Sequence, residues 1–252
     1  MSRRRFLVRT PPARGRAALD PDTARHAVRV LRLAEGDGVV LFDGRGTEWD
    51  GVIERATKRE VLVATGEPRE SAAVAGPRVL LATALPKGRR ATALLAMATE
   101  AGADAILPVL FARSASRGSG PGAAARRTRA VEEAARQCAR AWMPTLSPEV
   151  RLEEFLARPP AAGERRLLAS PDPSAPLAGR LLSAAPPPRE IALLVGPEGG
   201  LTDGEESAAR GAGFEPVSLG PYVLRVETAA VAAVVMARGT GAQDPRDTAE
   251  LL

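Results

Sequence analysis

Residues 191–236 decide the fold of this chain, and they include IALLVGPEGGLTDGE (191–205) and VSLGPYVLRVETAA (217–230). Each segment begins with an apolar run typical of a buried strand and then breaks at glycine and proline before a helix starts. Thr202 and Glu205 have the spacing of a capping box, which marks the first helix start. In an open α/β sheet such loops lie outside the carboxyl ends of the strands, where ligands bind. The stretch therefore predicts a ligand site made of two loops.

The chain before this stretch alternates between predicted strands and helices. Apolar strands are predicted at 79–85, 105–110 and 167–169, with helices at 89–101 and from about 123 to 142. Strands separated by helices are typical of a parallel sheet with helices on its faces. The C-terminal part is therefore predicted to be an α/β domain.

The N-terminal part has a different pattern. Short strands are predicted at 5–8, 39–42, 49–54 and 60–65, and a helix over 23–33 is predicted to start at Asp20 and Pro21. Several short strands within seventy residues favour a small β-barrel. Residues 67–77, small and polar with proline near both ends, are interpreted as a linker. We therefore expect two domains, residues 1–70 and residues 77–245.

The charge is unevenly distributed. The formal net charge is +5 and the sequence pI about 10.4. Residues 1–32 hold nine arginines against Asp20 and Asp22, and residues 113–140 hold seven against Glu132 and Glu133. Two basic stretches on an otherwise acidic chain favour a polyanionic partner with phosphate groups. The alternative is a solvated surface that is rich in arginine.

Several function classes are disfavoured. Cys138 is the only cysteine and His26 the only histidine, which excludes an internal disulfide, makes a cysteine-based metal site implausible and leaves no Ser-His-Asp pattern. We therefore expect no metal. The glycine loop lacks both the P-loop and the dinucleotide fingerprint. No apolar run approaches the length of a membrane span. Arg3–Leu7 resembles a twin-arginine signal but lacks the apolar segment that follows one, so we expect a cytoplasmic protein without a membrane partner.

The two motifs together resemble a known family. GPEGGLT (196–202) and LGPYVLRVETA (219–229) are similar to the paired C-terminal motifs of the SPOUT RNA methyltransferases. Within that class they are most similar to the family that methylates N3 of a uridine in bacterial 16S ribosomal RNA. The resemblance extends to RRF (4–6), VLR (30–32), Arg113 with Ser114, and EAARQCAR (133–140). Met97 departs from the pattern, because the family usually has lysine there, and it is left out of the site.

The resemblance implies a fold, a cofactor and partners. It implies a small N-terminal PUA-like β-barrel followed by a SPOUT α/β domain with a parallel sheet and a deep trefoil knot. S-adenosylmethionine would lie in the knot, held largely by backbone groups of the two motif loops. The partners would be 16S ribosomal RNA of the small ribosomal subunit and a second copy of the chain in a homodimer.

Two groups of binding residues follow from the resemblance and the charge pattern. Cofactor contacts are expected from Leu194, Val195, Gly196, Glu198, Gly199, Leu219, Gly220, Leu224 and Arg225. RNA contacts are expected from Arg3, Arg4, Arg5, Arg9, Arg29, Arg32, Arg113, Glu133, Gln137 and Arg140. The last three have the i, i+4, i+7 spacing of one helix face, which without the resemblance would indicate an exposed salt-bridged surface.

The chemistry suggests catalytic roles for two residues. Uracil N3 is a weak nucleophile until its proton leaves, so the enzyme must orient the base and stabilise negative charge on the uracil oxygens. Arg225, which ends the second motif loop, is expected to stabilise that charge, and Glu227 is a candidate base or a residue that orients the arginine. Two alternatives stay open: another SPOUT enzyme acting on transfer RNA or a ribose hydroxyl, and a non-catalytic RNA-binding assembly factor.

Overall fold

The structure is a computed structural model that describes residues 3–57, 60–114, 121–172, 174–179 and 187–240. The chain divides into two compact units. The first comprises the residues up to Ala73 together with Glu132–Met143, and the second comprises Val74–Val131 and the residues from Pro144 onward. The N-terminal unit thus includes a segment from the middle of the chain. The expected domains, 1–70 and 77–245, stay a prediction.

The first unit is a mixed five-stranded sheet with one whole helix and the end of a second helix among its described residues. Its strands are β1 (Arg4–Leu7), β2 (Arg16–Ala18), β3 (Gly38–Phe42), β4 (Thr47–Ala56) and β5 (Val61–Glu70), in the order β1-β3-β4-β5-β2. The β1–β3 pair is parallel and the other pairs are antiparallel. The sheet and helix α1 (Pro21–Arg29) share a core in which Phe6, Leu41 and Ile53 are buried.

Two boundaries in this unit differ from the sequence prediction. The linker interpretation is wrong for residues 67–70, because β5 continues through Pro68 to Glu70. β5 pairs with β2 only at 62–64. Pro68 lies beyond that segment, where β5 pairs with β4 alone, so the missing amide of proline is tolerated there. The predicted start of α1 is confirmed, since Asp20 accepts from the Asp22 and Thr23 amides. The helix ends at Arg29 and not at 33, and Arg32 has a left-handed φ of 56°.

The second unit contains the predicted parallel sheet. Its strands are β6 (Arg78–Thr83), β7 (Ala105–Leu110), β8 (Thr145–Leu146), β9 (Val150–Arg151), β10 (Glu164–Ala169), β11 (Glu190–Val195) and β12 (Glu215–Val217). Their order is β12-β10-β11-β6-β7-β8, all pairs are parallel, and β9 also pairs with β7. The expected fold class, an N-terminal β unit followed by an α/β domain with a parallel sheet, is confirmed.

Five further helices have bounds that the structure describes, and one of them contributes residues 132–137 to the first unit. They are α2 (Arg89–Ala101), α3 (Ala123–Gln137), α4 (Leu152–Leu156), α5 (Asp203–Gly211) and α6 (Val226–Arg238). Helix α6 packs against α2, β6 and β11.

The predicted extension of α3 to residue 142 is wrong, because Ala139 has a left-handed φ of 60° and the helix stops at Gln137. Arg140 therefore does not share a helix face with Glu133 and Gln137.

The register of three strands aligns their carboxyl ends. Leu168 of β10 is opposite Leu194 of β11, and Ala169 of β10 is opposite Val217 of β12. Because the strands are parallel, the loops after all three leave the sheet at one edge. This alignment brings together the two loops singled out from the sequence.

A buried ionic cluster lies at the opposite end of β10. The Glu164 carboxylate, whose side chain is 0 % exposed, pairs with Arg158 and with Arg166, the latter at 3.3 Å and 5 % exposed. Arg166 also donates to the Ala212 and Arg158 carbonyl oxygens at 2.7 and 2.8 Å. Burial would raise the pKa of the Glu164 carboxyl, but hydrogen bonds from Arg158 and the Ala161 amide hold that pKa below its ordinary value.

We expect Glu164→Gln to lower the free energy of unfolding by about 3 kcal/mol, because it leaves buried arginine charge without a counter-charge. Urea unfolding at neutral pH measures this difference. The matched control is Glu206→Gln, which removes an exposed i, i+4 pair with Arg210 and should cost less than about 0.5 kcal/mol.

The pH dependence of this cluster has a definite sign. A carboxyl with a lowered native pKa stabilises the fold above its unfolded pKa, and that stabilisation is lost as the pH falls through the native pKa. The difference between wild type and Glu164→Gln should therefore shrink below about pH 4. A difference that stayed constant on acidification would contradict the ionic origin of the effect.

Candidate functional site

The loops after β10, β11 and β12 enclose a cavity of about 820 Å³. It is lined by residues 168–171 with 175 and 177, by residues 195–198 with 200, 201 and 206, and by residues 218–224 with 226 and 229. The two loops expected from the sequence thus supply two walls. The third wall follows β10 and was not expected.

The first motif loop is fixed at its end by the start of α5. Thr202 and Glu205 form the predicted capping box, in which the Thr202 hydroxyl accepts from the Glu205 amide and the Glu205 carboxylate accepts from the Thr202 amide at 2.8 Å. Glu205 also accepts from the Ala112 amide at 2.7 Å, and Arg113 donates to the Gly199 and Leu201 carbonyl oxygens at 3.1 and 3.3 Å. The segment after β7 therefore holds this loop in place.

The second motif loop is fixed by its own serine and by the segment after β10. The Ser218 hydroxyl donates to the Gly220 carbonyl oxygen at 2.9 Å. Gly220 has a φ of 147°, a conformation that favours glycine because it has no Cβ. Backbone hydrogen bonds of 2.9 Å join Ala178 to Ser218 and Ser218 to Pro176. The loop and the third wall are thereby joined.

Arg90 of α2 connects the two motifs. Its guanidinium donates to both Glu227 carboxylate oxygens at 3.0 and 2.7 Å, and it pairs with Glu198 at 3.1 Å. Glu198 belongs to the first motif, and Glu227 belongs to the part of the second motif that forms the first turn of α6. The hydrogen bonds from Arg90 hold the pKa of the Glu227 carboxyl below its ordinary value.

Most of the expected cofactor residues meet at the cavity. Val195, Gly196, Glu198, Leu219, Gly220 and Leu224 line it. Leu194 is fully buried within β11, and Gly199 contacts Arg113. Arg225 directly follows Leu224, is exposed, and precedes the first residue of α6. Its guanidinium forms no ion pair with any residue that the structure describes.

The expected RNA residues divide into different groups. Arg5 is only 12 % exposed, pairs with Glu48 and lies 5.0 Å from the centre of the Phe42 ring. Arg3 and Arg9 pair with Asp50 and Glu132 at 2.8 and 2.6 Å, but they remain on the surface. The expected residues that are exposed and form no ion pair within the described ranges are Arg4, Arg29 and Arg32.

The remaining expected RNA residues either bond other groups of the protein or are exposed. Glu133 pairs with Arg136 at 3.5 Å, and Gln137 is exposed. Arg140 donates from Nε to the Trp142 carbonyl oxygen at 3.0 Å. Arg113, as described, bonds the first motif loop, so its guanidinium already has protein acceptors.

The part of the chain that the structure describes holds no group of three histidine, cysteine, aspartate or glutamate side chains placed to bind a metal ion. None of its helices has both the length and the apolar character required to cross a bilayer.

These features define the class of the chain: a parallel α/β enzyme fold with a cavity at the strand ends, joined in sequence to a small β unit rich in surface arginine. A family model described as an RNA methyltransferase domain matches residues 75–238, and a model of the RNA methyltransferase PUA domain matches residues 19–65. The chain therefore belongs to the RNA methyltransferase family.

Relatives of known name cover most of the chain. A protein of Mycobacterium bovis named ribosomal RNA small subunit methyltransferase E is 37 % identical over 237 residues, which are 91 % of this chain and 88 % of that protein. A protein of the same name from Synechocystis is 35 % identical over 209 residues, 82 % of this chain and 67 % of that protein.

Solved structures agree with the fold. A ribosomal RNA small subunit methyltransferase E from Neisseria gonorrhoeae bound to S-adenosylmethionine superposes with a TM-score of 0.83 at 28 % identity, covering 92 % of this chain and 95 % of that one. A Legionella pneumophila protein described as a methyltransferase, also with bound S-adenosylmethionine, gives 0.82 at 29 % identity, covering 94 % and 96 %.

Sequence reasoning missed Arg90 and the third wall of the cavity. A signal for Arg90 was present, because PKGRR (86–90) is a third glycine-bearing loop between a strand and a helix, after a strand that neighbours β11. A signal for the third wall was the predicted strand at 167–169, whose carboxyl end had to lie somewhere along the same edge.

We expect Arg90→Gln to loosen both motif loops, because it removes the ion pairs of Arg90 with Glu198 and Glu227. Amide hydrogen exchange should become about fivefold faster at Gly200, which bonds Pro197, and at Ala229, which bonds Arg225.

Arg89→Gln is the matched control, because Arg89 is the neighbouring exposed arginine and forms no ion pair within the described ranges. In this variant, amide hydrogen exchange at Gly200 and Ala229 should be as fast as in the wild type. Equal exchange in the two variants would show that Arg90 does not hold the loops.

Proposed function

We propose that the chain transfers a methyl group from S-adenosylmethionine to N3 of a specific uridine in 16S ribosomal RNA of the small ribosomal subunit. The observation that carries the proposal is the cavity between the two motif loops. Its support comes from relatives named ribosomal RNA small subunit methyltransferase E and from similar structures with S-adenosylmethionine bound.

The cavity suits S-adenosylmethionine in size and chemistry. A volume of about 820 Å³ lies within the usual range of small-molecule sites. Leu219 and Leu224 offer apolar contacts for the adenine ring, and backbone groups of the motif loops offer hydrogen bonds. Glu198 and Glu206 offer carboxylates for hydroxyl or ammonium groups. When bound, S-adenosylmethionine supplies a methyl group that is electrophilic because its sulfur is positively charged.

The holding residues in this proposal are those expected from the sequence. Leu194, Val195, Gly196, Glu198 and Gly199 would act through the first motif, largely by their backbone. Leu219, Gly220, Leu224 and Arg225 would act through the second.

Catalysis in this proposal rests on positioning and on charge stabilisation. The N3 proton must pass to water, so negative charge develops on the uracil oxygens, and transfer of the methyl group to N3 would leave S-adenosylhomocysteine. Arg225 lies beside the cavity-lining Leu224 and Val226, and its guanidinium forms no ion pair with the described residues, so it is placed to stabilise that charge. Glu227 is bonded to Arg90 and its pKa is lowered, so a positioning role suits it better than that of a base.

RNA binding is assigned to surface arginines of the first unit. Arg4, Arg29 and Arg32 are exposed and free of ion pairs among the described residues, so each can contact a phosphate without first breaking a protein contact. Arg3 and Arg9 can exchange exposed carboxylate partners for phosphate. Glu133, Gln137 and Arg140 complete the proposed RNA surface of this unit. We place the protein in the cytoplasm, where ribosomal RNA is its substrate.

The proposal includes a homodimer and a trefoil knot in the α/β domain. Tyr222 and Val223 at the cavity edge are 82 % and 81 % exposed, and Val235 of α6 is 54 % exposed. Large exposed apolar side chains favour a protein partner, and a second copy would cover them. Sedimentation measurements of the purified chain test the dimer.

The first test is methyl transfer from labelled S-adenosylmethionine to small ribosomal subunits and to naked 16S ribosomal RNA from a strain that lacks the modification. We expect label in 3-methyluridine. Label in a different nucleoside would replace the proposed target. Tight cofactor binding without label in either RNA would favour a transfer-RNA substrate, and absence of cofactor binding in calorimetry would favour a non-catalytic assembly factor.

We expect Arg225→Ala to lower turnover about a hundredfold with cofactor affinity largely kept, because a charge-stabilising group acts mainly on the transition state. Turnover is measured by the same assay and affinity by calorimetry. Arg78→Ala, at an exposed arginine at the amino end of β6, is the control and should behave as the wild type. Near-normal turnover of Arg225→Ala with intact cofactor binding would remove Arg225 from the mechanism.

A further inference from the structure

We infer that Trp142 is a stacking platform for an unpaired base of the RNA substrate, with Arg45 beside it to bind the adjoining phosphate. The inference rests on the proposed function, since it supplies a contact for the RNA. Trp142 follows α3 in sequence but belongs to the first unit. Neither residue is among the expected RNA contacts.

The indole ring of Trp142 is held in place by the protein. Its Nε1 donates to the Ser71 carbonyl oxygen at 2.9 Å. A Cβ at Gly46 would lie 2.3 Å from the ring atom Cζ2, so the ring lies directly against the backbone of a residue that has to be glycine. Trp142 is nevertheless 41 % exposed. A large part of a fixed aromatic ring therefore faces solvent.

Backbone pairing places Arg45 next to this ring. The Gly46 amide donates to the Ala141 carbonyl oxygen at 3.1 Å, and the Met143 amide donates to the Gly44 carbonyl oxygen at 2.9 Å. Arg45 and Trp142 are thus opposite each other in an antiparallel bridge, as a non-hydrogen-bonded pair. Side chains of such a pair lie on the same face and close together.

The charge around the ring suits a phosphate. Arg45 is exposed and forms no ion pair with the residues that the structure describes. Arg140 donates to the Trp142 carbonyl oxygen, and Arg5 donates to the Arg140 carbonyl oxygen at 3.4 Å. The nearby Glu48 carboxylate is buried and already bonded by Arg5, Arg69 and Ser71. The Asp43 carboxylate accepts from the Arg45 and Thr47 amides at 2.7 and 3.0 Å, so it is held by the backbone while the Arg45 guanidinium remains available for a phosphate.

This combination is the chemistry that recognises single-stranded RNA. A base stacks on an aromatic ring through its π-face, which is open only when the base is not stacked within a duplex. A ring that is already fixed loses little conformational freedom on binding. An adjacent arginine that contacts phosphate makes binding depend on salt.

The chain has two tryptophans, which permits a direct test. Trp49 is buried in the core of the first unit, at 6 % exposure, so Trp49→Phe leaves Trp142 as the only tryptophan emitter. We expect a single-stranded oligouridine to quench this emission and the same strand paired with oligoadenosine to quench it far less. Binding is followed independently by the anisotropy of labelled RNA. Emission that does not change although the strand binds, or no binding of the strand at all, would overturn the inference.

Substitutions test the same contact without the optical probe. Trp142→Ala should weaken binding of the oligouridine about tenfold, and Trp142→Phe, which keeps an aromatic face, should recover most of the loss. Arg45→Gln should make the affinity less dependent on salt, and the change in slope should correspond to the loss of about one phosphate contact. Thermal unfolding shows whether each variant is folded, and if Trp142→Ala is not, the emission experiment decides.

The outcome is separable from that of the proposed function. Methyl transfer to small subunits by the wild type tests the reaction, and the Trp142 variants test this contact. A folded Trp142→Ala that binds oligouridine as tightly as the wild type would show that Trp142 only covers Gly46. That result would leave the methyltransferase proposal unchanged.

Discussion

The site depends on the parallel register of β10 with β11 on one side and with β12 on the other. The pairs Leu168–Leu194 and Ala169–Val217 set the three strand ends at one level. A shift of one residue along β10 would move the third wall away from the two motif loops and turn the side chains of β10 to the opposite face. The cavity is therefore a property of strand pairing first, and only then of the loop sequences. The glycines and the capping box complete a shape that the sheet has already set.

Arginine, which accounts for nearly all the basic residues of this chain, has three separate uses. Arg166 neutralises a buried carboxylate, Arg113 holds a loop through carbonyl oxygens, and Arg4 is exposed and forms no ion pair with the described residues. Composition alone treats these residues alike, because all carry the same charge. Burial and partners distinguish them, and only the free arginines add to a phosphate-binding surface without a loss elsewhere. The arginine-rich stretches thus overstate the RNA surface, since Arg5 is used inside the first unit.

Local signals in the sequence predicted local structure well. The strand before Gly196, the Thr202 cap and the Asp20 cap each depend on neighbouring residues, and all three are present. What could not be predicted depends on residues far apart in the chain. Arg90 bonds Glu227 across 137 positions, and the association of residues 132–143 with the N-terminal unit depends on backbone pairing with residues 44–46. The end of α3 was missed because Ala139 adopts a left-handed conformation that alanine seldom takes.

The position of Arg90 has a thermodynamic consequence. One guanidinium is shared by Glu198 of the first motif and Glu227 of the second, so a displacement of either carboxylate changes the pairing left to the other. The two loops are therefore not independent binding elements. A molecule that orders one of them lowers the cost of ordering the other, and by linkage the effect is equal in both directions. Two substrates that contact different loops of this cavity would each favour the binding of the other, although they need not touch.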